Sequence, residues 1–168
     1  MKAELGVSDV VLDTGALADV LVQFIQSQVQ SPPRFVQSQY ISYEVARLLN
    51  RVVRSEGRFV VVASALAFVE MAHQWERIIA DRINPVQLAA FLNDPPEWFA
   101  VAPVDQDLVP FFMDVSPAVT MPWGRVEPVE WTDAVHAATA LSRDNAVLVS
   151  SDRRLKRLPG VRVVYSRS

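Results

Sequence analysis

Short, unbroken apolar runs alternate with segments of helical period along this chain, and that alternation restricts the fold more than any other feature. "VVL" at 10–12, "RFVVVAS" at 58–64, "WFAVAP" at 98–103, "AVLVS" at 146–150 and "VRVVY" at 161–165 are apolar at consecutive positions. A strand of that kind is covered on both faces, as in parallel sheets. The strands are expected over Val10–Asp13, Phe59–Val62, Phe99–Ala102, Ala146–Ser150 and Arg162–Tyr165. Helical segments between them supply the crossovers that parallel strands need. The expectation is an α/β fold, a central parallel sheet of about five strands with helices on both faces, in a single domain spanning residues 1–168.

The helices are read from spacing. Leu17, Val20, Leu21, Phe24 and Ile25 form one stripe, stopped by Ser31-Pro32-Pro33. Ile41, Val45, Leu48, Leu49, Val52 and Val53 form another, with Arg47, Asn50, Arg51 and Arg54 opposite and Gly57 as its stop. Ser64 caps a helix from Ala65 to about Ala80, and Asn84-Pro85 starts a short one to about Leu92. A helical turn or two is expected from Leu108 to Met113, although Pro110 weakens it. The stretch 116–128, with three prolines and a glycine, reads as a loop, and long loops in compact domains are often functional. A last helix runs from about Glu130 to Arg143.

Composition narrows the chemistry. Half the residues are hydrophobic (51%) and 21% are charged, a globular balance. With no cysteine, thiolate zinc sites, disulfides and Cys nucleophiles are excluded. The longest apolar run, around Phe59 to Val69, is too short to span a membrane. Glu4, Asp9 and Asp13 interrupt any signal-peptide pattern, so a cytoplasmic protein is expected. The net charge of −3 is unevenly spread. From Arg143 onward, seven arginines or lysines face Asp144 and Asp152, a formal +5 against −8 for the rest. A basic end on an acidic body suits an anionic partner, or is a solvated surface.

Four acids stand out on this frame. Asp13 in "VVLDTGALADVL" and Asp152 in "LVSSDRRL" follow strands directly, and on a parallel sheet they share one edge, where open α/β sheets bind ligands. Glu70 in "SALAFVEMAH" lies on a helix face with Leu66, Val69 and His73, where an acid is costly unless paired. Asp133 in "EWTDAVHAATAL" lies in the first turn of an alanine-rich helix. Converging carboxylates repel and raise one another's pKa values, and a hard cation such as Mg²⁺ or Mn²⁺ relieves this. Such a site activates water and neutralises a phosphoryl group, which fits hydrolysis of a phosphodiester. Each acid taken alone is a common turn or cap residue.

Three segments resemble PIN-domain nucleases, including the toxin ribonucleases of bacterial toxin–antitoxin pairs: "VVLDTGALADVL", "VVVASALAFVEMA" and, above all, "DAVHAATALSRDNAVLVSSDRRLKRLPGVRVV". The start and the C-terminal third carry the similarity, whereas 31–57 and 95–128 match poorly. The resemblance implies a Mg²⁺- or Mn²⁺-dependent endoribonuclease, with Asp13, Glu70, Asp133 and Asp152 as the catalytic and metal-binding acids. It puts Ser150 where a Thr often helps hold a water or the acids, and Thr14 after the first acid as is common. It also implies an RNA substrate, an antitoxin partner and a homodimer. Two features depart from the pattern. Arg154 stands where many members carry another acid, leaving one or two metals open. The helix near Tyr40 to Ser55 is longer than a minimal toxin needs. Arg153, Arg154, Lys156 and Arg157 follow Asp152 directly and are candidates to hold the RNA backbone.

Other readings stay in view. Glu70-x-x-His73 and Asp133-x-x-His136 have the spacing of four-helix di-iron sites, but strands at both ends of the chain do not belong to a bundle. A haloacid-dehalogenase-like phosphatase needs a second Asp two residues after the first, where this chain has Gly15. The main alternative is a catalytically silent PIN-like module that binds RNA or protein.

Overall fold

The computed structural model describes residues 8–27 and 32–168. Glu4 and Ser31, used above, lie outside that range. The elements in chain order are β1 (Val10–Leu12), α1 (Thr14–Gln26), α2 (Tyr43–Val53), β2 (Val61–Ser64), α3 (Ala65–His73), α4 (Trp75–Ile78), α5 (Pro85–Asn93), β3 (Phe99–Ala102), α6 (Val109–Asp114), β4 (Ala118–Thr120), β5 (Val126–Pro128), α7 (Trp131–Leu141), β6 (Val147–Ser150) and β7 (Val163–Tyr165). Single 3₁₀ turns cover Gln106–Leu108 and Arg153–Arg157.

Five strands form one sheet in the order β3-β2-β1-β6-β7, and every pairing is parallel. All five expected strands are present, shifted at their ends by up to two residues. Successive side chains of a strand point to opposite faces, and both faces are buried here. Val10, Leu12, Val61, Ala63, Val147 and Val149 pack with α1, α2 and α3 on one side. Val11, Val62 and Leu148 pack on the other with Ala134, Ala137 and Ala138 of α7. The alanines keep the α7 backbone close to the sheet. An aromatic cluster of Phe24, Phe91, Trp98 and Phe99, in edge-to-face contacts, closes the first layer at the β3 side.

The chain builds outward from the centre. It lays β2 and β3 on one flank of β1, then crosses back to lay β6 and β7 on the other. The order therefore reverses between β1 and β6, which makes the crevice beyond their carboxyl ends the topological switch point.

Local departures have local causes. α1 ends at Gln26, before the Pro-Pro pair, because the Ser27 amide and hydroxyl both bond Phe24 O. The helix expected from Ala65 to Ala80 breaks at Gln74 into α3 and α4. The expected loop 116–128 is instead an antiparallel hairpin, β4 with β5, turning through Gly124 at φ +82°. Its prolines sit at the strand end and in the turn, where no ladder amide is lost.

Candidate functional site

Three of the four acids meet at the switch point. Asp13 is the N-cap of α1: its Oδ1 accepts the Ala16 amide at 2.7 Å, and its Oδ2 accepts the Ser151 amide at 3.2 Å. This carboxylate ties the end of β1 to the loop after β6. Gly15 makes the approach possible, since a Cβ there would stand 3.1 Å from Ser151 Oγ. Asp152 caps the following 3₁₀ turn, accepting the Arg154 amide at 2.8 Å. Its own amide donates to Ser150 Oγ at 2.9 Å. Ser150 is fully buried and so shapes the Asp152 turn through the backbone.

Asp133, in the first turn of α7, shows how crowded these groups are. Burial, then the charges of Asp152 and Asp13, push its pKa up to about 6, with Glu130 adding to the effect and His136 opposing it. Arg154 spans the gap. Its guanidinium lies 2.5 Å from Asp152 and 3.8 Å from Asp133. Burial works upward on Asp152, but the side-chain and amide bonds from Arg154 outweigh it and hold the carboxyl below its usual range. Arg154 is thus turned into the acids, whereas Arg153, Lys156 and Arg157 are exposed. Arg153 and Lys156 lie over the Tyr165 ring, 4.9 and 5.7 Å from its centre.

Glu70 is held apart from Arg154 by a polar chain of its own. Thr14 Oγ1 donates to Glu70 Oε2, and His136 Nε2 stands 3.2 Å from the same oxygen. His136 is 1% exposed, and its Nδ1 lies 3.2 Å from Ser64 Oγ, the hydroxyl that caps α3. The His136 and Thr14 bonds hold the Glu70 carboxyl below its usual range against burial. The face of α3 bearing Glu70 differs from expectation. Val69 and His73 on it are exposed, and it is Ala67 and Met71 that enter the core. Glu70 therefore pairs with His136 across 66 residues, not with His73 one turn on.

A cleft of about 580 Å³ opens beside this site. Thr14, Gly15, Glu70 and Ser151 line its acidic end, and Tyr40, Arg77, Arg82 and Arg167 line the rest. Arg82 stacks over Tyr40 at 4.6 Å and pairs with the buried Asp19 at 2.9 Å. Tyr40, Arg77, Arg82 and Arg167 were not among the sequence candidates. They come from three separate segments with no shared motif, so only the fold brings them together. Ser64 and Ser151 carry a weak sequence signal, as polar residues at or just past strand ends.

The donor set for a metal is all oxygen, which fits Mg²⁺ or Mn²⁺. Among the described residues, no group of three or more His, Asp or Glu side chains is placed to hold a metal ion. Mg²⁺ needs only one or two direct carboxylates and retains water at its other positions. The raised pKa of Asp133 reflects its burial first and the charges of Asp152 and Asp13 second. The chemistry of the donor set thus fits at most a water-rich hard cation that one or two of Asp13, Asp133 and Asp152 would hold directly.

No known family model matches the sequence, and no curated protein matches it significantly. Solved structures do match in shape. One is a chain from the crystal structure of VapBC2 from Rickettsia felis bound to a DNA fragment from their promoter. It is 14% identical, with a TM-score of 0.52 over 94% of this chain and 98% of that one. Another is from FitAB bound to an IR36 DNA fragment, at 16% identity and a TM-score of 0.49 over 93% and 94%. The VapBC2 likeness, over 94% of this chain, shows a PIN-like fold.

Proposed function

We propose that this protein is a metal-dependent endoribonuclease of the PIN type, acting as the toxin of a toxin–antitoxin pair. The observation that carries the reading is the gathering of Asp13, Asp133 and Asp152 at the switch point, where burial first and then the neighbouring carboxylates push Asp133 up to about 6. Uncompensated carboxylate charge at a ligand-binding edge calls for a cation. Mg²⁺ or Mn²⁺ bound there supplies an activated water and charge neutralisation at a phosphodiester. Asp13 is fixed by two backbone amides and presents its remaining lone pairs in a set direction. Glu70, anchored by Thr14 and His136, stands at the mouth of the cleft, placed to orient a water and accept its proton. Arg77, Arg82 and Arg167 offer charge to the phosphates of a strand lying in that cleft, and Tyr40 offers a ring for a base. Arg153, Lys156 and Arg157 extend positive charge past Asp152.

Among the described residues no helix is long and apolar enough to cross a membrane, in keeping with action in the cytoplasm. A protein partner that covers the acids and pairing of two copies belong to the same reading, supported by a fold shared with a chain of a VapBC2 complex. The test is cleavage of a single-stranded RNA with and without Mn²⁺, alongside Asp13→Asn. Metal-dependent cleavage by the wild type, lost in the variant, is the expected result. Wild-type cleavage that ignores the metal, or a folded variant as active as the wild type, rejects the mechanism.

One observation favours a second reading, a silent binding module. Arg154 already bridges Asp133 and Asp152, as a built-in counter-ion does. On that reading Arg154→Ala creates Mn²⁺ binding, seen by calorimetry, where the wild type has none.

A further inference from the structure

A second cleft lies on the far side of α2, remote from the acids. It encloses about 410 Å³, and four arginines line it: Arg34, Arg47, Arg51 and Arg54. Among the described residues lining it, none is acidic. Arg47, Arg51 and Arg54 fall at i, i+4 and i+7 and share one stripe of the helix. Like charges at that spacing repel one another. Tyr43, 66% exposed, stands at the N-terminal end of the stripe.

The opposite wall is built rather than loose. The Asn50 side-chain amide makes both a donor and an acceptor bond to the backbone of Phe35, at 2.7 and 2.9 Å. Gln23 of α1 does the same to Val36, at 2.9 Å each. Two side-chain amides thus clamp successive residues of the segment 34–37 and fix Arg34 across from the helix. The cleft also connects toward the acids. Ser42, just before Tyr43, bonds Tyr165 O through its hydroxyl and Ser166 O through its amide. The Tyr165 ring carries Arg153 and Lys156, which follow Asp152. Hydrogen bonds to the backbone thus join the start of α2 to β7, whose Tyr165 ring carries Arg153 and Lys156.

We infer that the α2 cleft is a second binding site for the phosphodiester backbone of single-stranded RNA, gripping the strand away from the acidic centre. A cationic groove with an exposed aromatic ring at one end is how proteins hold single strands without reading sequence. The stripe from Arg47 to Arg54 covers about 10.5 Å of helix axis, longer than one phosphate and suited to successive ones. The identity of the polymer rests on the ribonuclease reading; the groove and its charge do not.

The experiment is fluorescence anisotropy with a labelled RNA of about twelve nucleotides, in EDTA so that no cleavage occurs. Arg47 and Arg54 are exposed, so Arg47→Ala/Arg54→Ala keeps the wild-type melting temperature or raises it slightly. It weakens binding at least tenfold and lowers the slope of log affinity against log salt by about 1.4, because two phosphates of a single strand are no longer neutralised. Tyr43→Ala weakens binding with the slope unchanged. Arg58→Ala, exposed on the turn after α2, changes neither. Unaltered affinity and slope in the double variant overturn the inference. Displacement of RNA by polyglutamate as effective as by unlabelled RNA assigns the groove to an acidic protein segment and overturns it too. So does equal binding of a dinucleotide and the longer RNA, which marks a small-anion site. Because metal is absent, the result is independent of the nuclease reading.

Discussion

The acidic centre and the α2 cleft are assembled by opposite strategies. At the centre, each group sits within two residues of a strand end or on the first turns of a helix that packs on the sheet. Asp13 follows β1, Ser64 ends β2, and Ser150 and Asp152 bracket the end of β6. A parallel sheet fixes strand ends relative to one another, so positions there are set by the hydrogen-bond ladder. The α2 cleft has no such frame. One wall is a helix face and the other an extended segment, joined by the side chains of Asn50 and Gln23. The first site concentrates like negative charge under burial; the second spreads positive charge over an open groove. A sheet edge can therefore hold groups in mutual conflict, while a groove made of side-chain clamps suits diffuse, sequence-blind contact.

The largest test of that contrast is Asp13→Asn. Losing one charge from the crowded centre is expected to lower metal-dependent cleavage by about a hundred- to a thousandfold, in the range seen when one preorganised electrostatic group is removed. Asn caps a helix as well as Asp, so α1 keeps its cap. The Ser151 amide, however, loses a full carboxylate acceptor, at a cost of about 1 kcal/mol, offset by weaker repulsion of Asp133. The metal-free melting temperature should stay close to the wild type while the Asp133 pKa, followed by NMR titration, falls. An Asp133 pKa unmoved by the substitution breaks the claim that the acids form one electrostatic unit.

Next in size is a pH effect of unusual sign. The Asp133 pKa is raised in the folded state, from 3.8 to about 6. Between those values the native protein binds more protons than the unfolded chain, so stability falls as pH rises through that window. The full change is about 3 kcal/mol at 1.36 kcal/mol per pKa unit. Glu70 and Asp152 are depressed and act oppositely: their contributions are present at neutral pH and lost on acidification through their folded-state values. Denaturant titrations of the metal-free protein between pH 4.5 and 7 should show the downward trend, and Asp133→Asn should abolish it. Saturating Mn²⁺ should also remove it. At a hundred times its dissociation constant the metal adds about 2.7 kcal/mol, and a melting curve at pH 7 indifferent to Mn²⁺ counts against the site.

Smaller effects probe the other region. Asn50→Ala removes both clamp bonds to Phe35 and is expected to cost about 2 kcal/mol, since the Phe35 amide and carbonyl lose their partners. RNA affinity should fall with it while metal affinity stays put. The smallest shift belongs to the loop after Asp152. Arg153→Ala/Arg157→Ala should reduce the salt slope of RNA binding by about 0.7 for each phosphate that the two arginines neutralise, again without touching metal affinity. An unchanged slope makes that loop ordinary solvated surface.

Much of the fold was legible because burial on both faces leaves runs such as Val10-Val11-Leu12 with no polar gap. The strand ends were legible for the same reason: Asp13 and Asp152 interrupt those runs abruptly. Long-range pairings were not. His136 reads from sequence as one residue of an alanine-rich helix, and only the packing of α7 against the sheet and α3 brings it under Glu70. Arg154 sits two residues from Asp152 and looks like one member of a basic run, whereas its guanidinium turns back to the carboxylates. Arg47, Asn50, Arg51 and Arg54 read as the wet side of an amphipathic helix, since helical periodicity separates polar from apolar and says nothing about what faces the polar side. The hairpin at 118–128 was hidden by its prolines, which argue against a strand unless they fall at its ends.

The Asp13–Ser151 contact has a consequence in time. The carboxylate near the start of the chain is held by an amide 138 positions later, and its strand gains its second neighbour only when β6 arrives. During synthesis, residues up to the end of β3 can collapse around the aromatic cluster, yet they hold neither Asp133 nor Asp152. A ribosome must pass β6 before the acidic centre exists, and a product truncated anywhere before β6 lacks it.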